Sequence, residues 1–281
     1  MTGAEEALTW DAEMTPAARP HDAETNLRGI TVLITGATSG LGLAMARALA
    51  ECGATVAVGS RDRARATATA ATLDQGAGHC FGVAIDVRDP ASVAHAVAAT
   101  LLEADGIDVL VNNAGVGMRA VNAAFLSTPQ PFWEVSHQQF ADSIATNLTG
   151  YFLAARAIVP HFLERGNGRI VNISMNHETM VRRGFVPYGP SRAGAEALSH
   201  IMAEDLRDRG VAVNLLLPGG ATRTGMVPEA YATSRELLDP SIMARPIRWL
   251  CSEAAQGVTD QRIVATDFPR WLRNFTADRD R

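Results

Sequence analysis

In the stretch VPYGPSRAG, residues 186–194, a phenol and a permanent cation stand four positions apart, Tyr188 and Arg192. If the segment opens a helix, residues i and i+4 share one face. A cation held beside a phenol stabilises the phenolate and lowers the tyrosine pKa from its usual value near ~10, one route to a general acid/base. The plainer alternative is a tyrosine that merely has an arginine nearby. A second stretch, TGATSGLG from Thr35 to Gly42, has the composition of a phosphate cradle. Gly36, Gly40 and Gly42 allow a tight turn and close backbone approach, and a helix starting there offers free N–H groups and a positive dipole end to an anion.

These groups need elements to hold them. ITVLIT, from Ile30, is a continuous apolar run rich in β-branched residues, as in a strand buried on both faces. LGLAMARALAECG follows with helical periodicity and a closing glycine. The alternation then repeats: strands at ATVAVGS, HCFGVAID, IDVLVNNAG, GRIVNIS and VAVNLLLPGG, and helices at RDRARATATAATLD, DPASVAHAVAATLLEAD, the long QQFADSIATNLTGYFLAARAIVPHFLERG and YGPSRAGAEALSHIMAEDLRDRG. Strands alternating with helices of this length predict a parallel α/β sheet with helices on both faces, joined by right-handed crossovers. The expected organisation is a loose, polar arm over 1–28, one three-layered doubly wound domain over 29–268, and an extension over 269–281.

With strand and helix on either side, the glycine loop reads as a dinucleotide site more readily than as a bare tight turn. A site for NAD usually places a carboxylate at the end of the second strand. Here the chain reads VGSRDR, with Ser60 and Arg61 in that place and Asp62 suited to capping the next helix. An arginine there can clamp a 2′-phosphate, so NADP is expected in preference to NAD; the alternative is a solvated surface arginine.

Composition narrows the partners. The 281 residues are 47% hydrophobic and carry a formal net charge of −5, which implies no broad basic face for nucleic acid. The acidic start, MTGAEEALTWDAEM, lacks the basic and apolar regions of a secretory signal, and no apolar run approaches the roughly 18 residues of a membrane span. Cys52, Cys80 and Cys251 are far apart and odd in number, read as reduced thiols in a cytoplasmic protein. The seven histidines show no HExxH or HxH pairing, so no metal site is expected.

Over roughly residues 29–265 the chain resembles the short-chain dehydrogenase/reductase family. TGATSGLG resembles its TGxxxGxG loop, IDV with Asp86 and Val87 its adenine-flanking segment, and NNAG at 112–115 its fourth-strand motif. TNLTGYF resembles the helix carrying the active-site asparagine, here Asn147, and PGG at 218–220 the turn near the nicotinamide. The resemblance implies a Rossmann-type fold, a nicotinamide cofactor, hydride transfer between a carbonyl and a secondary alcohol, and a homodimer or homotetramer. It also implies cofactor contacts at Gly36, Thr38, Ser39, Leu41, Arg61, Asp86, Val87, Asn113, Ala114, Gly115, Tyr188, Arg192, Pro218 and Gly219.

The same resemblance exposes departures. The family's catalytic tyrosine is followed four residues later by lysine, which binds the nicotinamide ribose; here Arg192 stands in that place, bulkier, planar and unable to give up its proton. The family's serine, thirteen residues before the tyrosine, is Met175, whose thioether cannot donate a hydrogen bond. Ser174, Asn176 and His177 remain as candidate donors. His177, Glu178, Arg182 and Arg183 make the next loop polar: a pocket for an anionic substrate or a solvated loop. The segment 117–135 is long, and its Phe125, Phe132 and Trp133 suit a pocket cover, a subunit contact or ordinary core. Near the C-terminus Asp260 replaces the usual glycine, Thr266-Asp267 replaces a closing Gly-Gly, and Trp271 and Phe275 are candidates for burial against another subunit.

Three functions compete. The first is an NADP-dependent oxidoreductase with Tyr188 as acid/base, Arg192 as its electrostatic partner, Asn147 organising a water, and Ser174 or a neighbour orienting the substrate oxygen. The second is a nucleotide-binding sensor or interaction protein that has lost the chemistry. The third is a lyase or epimerase on the same scaffold.

Overall fold

A computed structural model describes residues 26–231, 233 and 236–279. Residues 1–25 of the expected N-terminal arm, and the last two of the expected extension, lie outside the described residues. Near the start of the described residues Leu27 is fully buried, and its N–H donates to the Cys52 carbonyl at 2.8 Å.

Seven strands form one parallel sheet: β1 (Thr31–Ile34), β2 (Thr55–Ser60), β3 (Cys80–Ala84), β4 (Val109–Asn112), β5 (Gly168–Ile173), β6 (Val211–Leu217) and β7 (Arg262–Val264). Their spatial order is β3-β2-β1-β4-β5-β6-β7. Strands β1, β4 and β6 are buried at every residue, the signature of a sheet covered on both faces. Helices α1 (Gly40–Glu51), α2 (Arg63–Leu73) and α3 (Pro90–Ala104) follow the first three strands. Asp62 and Asp89 cap α2 and α3 by accepting from Arg65 N–H and Ala91 N–H, and Pro90 occupies the first turn of α3, where no donor is needed. The remaining helices are α4 (His137–Ile144), α5 (Gly150–Arg165), α6 (His177–Met180), α7 (Tyr188–Asp205), α8 (Ala244–Cys251) and α9 (Phe268–Arg279). Two cores result. One joins the sheet to α1 and α8 through residues such as Met45, Leu49, Ile247 and Leu250, and the other to α3 and α5 through Val93, Ala154 and Ile158. This is the expected three-layered, doubly wound α/β architecture of Rossmann type.

Because the order runs outward from β1 in one direction and from β4 in the other, β1 and β4 flank the switch point, where open α/β sheets present a crevice at their carboxyl ends. The glycine loop leaves β1 and the NNAG motif leaves β4, so both land there.

The long helix expected over 138–166 is divided. Between α4 and α5, residues Ala145–Thr149 form a π turn that turns Asn147 fully inward; such bulges recur at functional sites. On α9, Trp271 and Phe275, both half-buried, lie 5.3 and 6.0 Å, ring centroid to centroid, from Trp249 of α8. Among the described residues no helix is long and apolar enough to cross a membrane, and no group of three His, Cys, Asp or Glu side chains is arranged to hold a metal.

Candidate active site

The glycine loop is braced by the NNAG motif. Thr35 Oγ1 accepts from the backbone N–H of Asn113 and Ala114, each at 3.0 Å, and Asn113 Nδ2 donates to the carbonyls of Thr35 and Gly36, both at 2.9 Å. Gly36 and Gly40 adopt φ of +66° and +54°, the left-handed region that favours glycine. A Cβ on Gly42 would collide with the Gly36 carbonyl. Helix α1 starts at Gly40, and its N-cap, the exposed Ser39, makes no side-chain cap bond, so the first-turn N–H groups are left to a ligand or water. Thr38 and Leu41, on either side of that start, are half-buried.

At the other end of the crevice, Arg61 is exposed just beyond β2 and makes no hydrogen bond or ion pair among the described residues. Asp86, beyond β3, accepts from Arg88 Nε at 3.0 Å and Nη2 at 2.6 Å. That bond holds its carboxyl below the usual range against the opposing effect of burial, with the Arg61 charge acting in the same direction. Val87 is buried against Gly150, the first residue of α5.

The opening pair meets at the start of α7. The Arg192 guanidinium carbon lies 5.3 Å from the Tyr188 ring centroid and 5.5 Å from that of Tyr151. Arg192 Nη1 donates to Tyr151 Oη at 2.6 Å and to the Ile173 carbonyl at 3.0 Å. Burial disfavours this cation, but Tyr151 and Tyr188 outweigh it and the Arg192 pKa is raised. Burial also raises the pKa of Tyr151, against the pull of Arg192. Asn147 fixes the same corner: its Oδ1 accepts from Val116 N–H at 2.8 Å, and its Nδ2 donates to the Val116 carbonyl at 3.0 Å and to Ser191 Oγ at 2.9 Å. Ala114 and Gly115, half-buried, close the corner, and a Cβ on Gly115 would collide with Arg192 Nη2.

Ser174 and Met175 part company. Ser174 is buried and its hydroxyl donates to the Glu196 carboxylate, which Arg262 meets through Nε at 3.1 Å. Arg262 Nη2 also donates to the Met175 carbonyl at 2.8 Å. The Met175 side chain, by contrast, joins Tyr188 against the cluster of Met118, Phe125 and Phe185. Asn176 donates to the Gly219 carbonyl at 3.1 Å, and the largely exposed His177 lies 3.8 Å from Glu196. Pro218 is buried and Gly219 has φ of +97°. Phe125 thus belongs to the cluster against which Tyr188 packs, whereas Phe132 and Trp133 are exposed at 67% and 73% and contact each other. Arg182 sits over the Phe185 ring, and Arg183 is exposed.

Three participants are not singled out by the sequence reading: Tyr151, which lies unremarked within TNLTGYF, Glu196 and Arg262. Two carry a faint signal. Tyr151 follows Asn147 by four residues, and Glu196 follows Arg192 by four, which places each on the face of its predecessor. Arg262 reaches Glu196 across 66 residues and has no local signature.

Residues 30–235 match the short chain dehydrogenase family. The chain is 38% identical over 197 residues to a D-threitol dehydrogenase of Mycolicibacterium smegmatis, covering 70% of this chain and 72% of that one. It is 32% identical over 247 residues to a 3beta-hydroxysteroid dehydrogenase of Eggerthella lenta, covering 83% and 91%. The crystal structure of a 3-ketoacyl-(acyl-carrier-protein) reductase from Brucella melitensis, complexed with NADH, superposes with a TM-score of 0.74 at 29% identity, over 85% of this chain and 97% of that one. Matched across the glycine loop, the fourth-strand turn and the tyrosine helix, the chain belongs to the short-chain dehydrogenase/reductase family and is an oxidoreductase of carbonyl and alcohol substrates.

Proposed function

We propose that the protein interconverts a carbonyl and a secondary alcohol with NADP, using Tyr188 as acid/base and Arg192 as its fixed cationic partner. The observation that carries this reading is the guanidinium of Arg192 buried 5.3 Å from the Tyr188 ring. The crevice fits a dinucleotide: a Cβ would fill the backbone cradle at Gly42, and the α1 N-terminus is uncapped beside it. Gly36, Thr38, Ser39 and Leu41 would hold the pyrophosphate, Asn113, Ala114, Gly115, Pro218 and Gly219 the nicotinamide half, and Val87 the adenine. When bound, the nicotinamide supplies or accepts the hydride. Arg61, exposed and unpaired among the described residues, supports NADP over the NADH of the Brucella reductase.

In the reducing direction the Tyr188 hydroxyl gives its proton to the substrate oxygen as negative charge develops there. In the oxidising direction the phenolate takes the alcohol proton. Arg192 stabilises the phenolate and moves no proton itself. Asn147 holds the first turn of α7 through Ser191, whose hydroxyl donates to the Tyr188 carbonyl at 2.7 Å.

The test is NADPH turnover on a panel of ketones and secondary alcohols, with Tyr188→Phe as the control. Removing the hydroxyl should lower turnover by about 100-fold or more while cofactor binding survives. Normal turnover in Tyr188→Phe refutes the assignment. Cofactor binding with no turnover on any substrate favours the sensor, and product formed at unchanged total NADPH favours a lyase or epimerase.

A further inference from the structure

Arg192 poses a question that Tyr188 alone does not answer. Only 3% of its surface is exposed, and no carboxylate pairs with it among the described residues. The nearest acid along α7, Glu196, is taken by Ser174 and Arg262. A buried guanidinium needs hydrogen-bond acceptors to stay in one place. Its Nε has none, and Nη1 is held by Tyr151 Oη and the Ile173 carbonyl. The Tyr151 hydroxyl itself donates to that same carbonyl at 3.1 Å, closing a triangle of Oη, Nη1 and the Ile173 oxygen.

We infer that Tyr151 is a positioning residue for the reaction, fixing the Arg192 guanidinium between its own ring and that of Tyr188 so that the cation faces the phenol that moves the proton. The inference rests on the reading of Tyr188 as acid/base. Both rings lie within the roughly 6 Å over which a cation is attracted to an aromatic face. The groups facing Arg192 are the Tyr151 phenol from α5, the Tyr188 phenol from α7, the Ile173 carbonyl at the end of β5, and Gly115 after β4. Tyr151, 1% exposed, has its hydroxyl committed as both donor and acceptor, which leaves Tyr188 as the phenol free to exchange a proton. A planar fork requires such an anchor; a lysine ammonium at position 192, a point charge, does not.

The experiment is steady-state kinetics for Tyr151→Phe, Arg192→Lys and the double variant, beside Tyr188→Phe. Tyr151→Phe should lower kcat by about tenfold or more with little change in the substrate KM, because Arg192 is no longer fixed against the Tyr188 ring. In the Arg192→Lys background the same change should leave kcat nearly unmoved, giving strong non-additivity. An unchanged kcat with only a lower Tm, or an equal loss in both backgrounds, overturns the inference while leaving Tyr188 in place. Normal turnover in Tyr188→Phe removes both. Should Tyr151→Phe fail to fold, the wild type decides by side-chain NMR of its arginines. The Arg192 signals, assigned by their loss in Arg192→Lys, should show distinct Nη nitrogens with slow guanidinium rotation. A single averaged Nη signal refutes the fixed guanidinium.

Discussion

Ser174 donates its hydroxyl to Glu196, two helical turns beyond Tyr188 on the same helix. The carboxylate is shared with Arg262 from β7, and Arg262 in turn holds the Met175 carbonyl. The last strand is thereby tied to the end of β5 and to the tyrosine helix, directly behind the site. The residue that faces the Tyr188 side is the thioether of Met175.

Ser174→Ala should therefore act on stability before chemistry. A hydrogen bond to a buried carboxylate is worth about 1.5–3 kcal/mol, so Tm should fall while kcat stays near the wild-type value. A drop in kcat of about 100-fold at unchanged Tm, the effect of losing an oxyanion donor, would instead place the Ser174 hydroxyl on the substrate oxygen.

Arg61 should decide the cofactor. It is exposed at the end of β2 with no hydrogen bond or ion pair among the described residues, while Asp62 is occupied as the cap of α2. A charge-assisted contact to a 2′-phosphate implies that Arg61→Ala weakens NADPH binding by about 10- to 100-fold and NADH binding little. Titrations of both cofactors against both proteins check this. A wild type that prefers NADH, or an equal loss for both cofactors, defeats it.

The frame and the pairing of Tyr188 with Arg192 are legible in the sequence because their signals are local. Buried parallel strands read as unbroken apolar runs, the glycine loop lies between a strand and a helix, and Tyr188 and Arg192 are one helical turn apart. What stays hidden is tertiary. The π turn at Ala145–Thr149 interrupts a segment whose helical periodicity continues on both sides, and it forms where Asn147 can bond Val116. Glu196 meets Arg262 only once β7 has docked beside β6. Trp271 and Phe275 of α9 meet Trp249 of α8, a contact that nothing in their sequence neighbourhood announces. Asp260 is the mixed case: it keeps the left-handed conformation, φ +60°, at a position where the family resemblance predicts glycine.

The three cysteines should separate by burial. Cys80 and Cys251 are buried, and burial pushes their thiols up to about 11 and about 12. Cys52, also raised by burial, is half-exposed. The reactive species is the thiolate. Ellman's reagent should therefore modify only Cys52 in the native protein at mildly alkaline pH, and all three after unfolding. Native labelling of Cys251 as fast as that of Cys52 would mean that α8 opens readily from the core, contrary to its packing.

The last prediction concerns Arg88, which holds Asp86 with two side-chain hydrogen bonds. The Arg88 bonds lower the folded-state pKa of Asp86 despite the opposing effect of burial. A carboxyl whose folded pKa is lowered contributes stability above its unfolded value, near ~3.9, and loses it as pH falls through the folded value. Arg88→Ala should thus be less stable than the wild type near neutral pH, by no more than about 1 kcal/mol because the pair is partly exposed. The gap should narrow as pH falls below ~4 and close only once pH passes the lowered folded value, where Asp86 is protonated in both proteins. The same substitution bears on the cofactor. It strips a neutralising cation from a carboxylate close enough for Arg61 to affect it, and an unpaired carboxylate repels a 2′-phosphate. NADPH binding should therefore weaken more than NADH binding, most clearly at low ionic strength, where charges are least screened. Denaturant melts across the acid range and titrations of the two cofactors measure the two effects separately. A stability gap that persists in acid would show that Arg88 acts through packing, and equal losses for the two cofactors would detach Asp86 from the 2′-phosphate site.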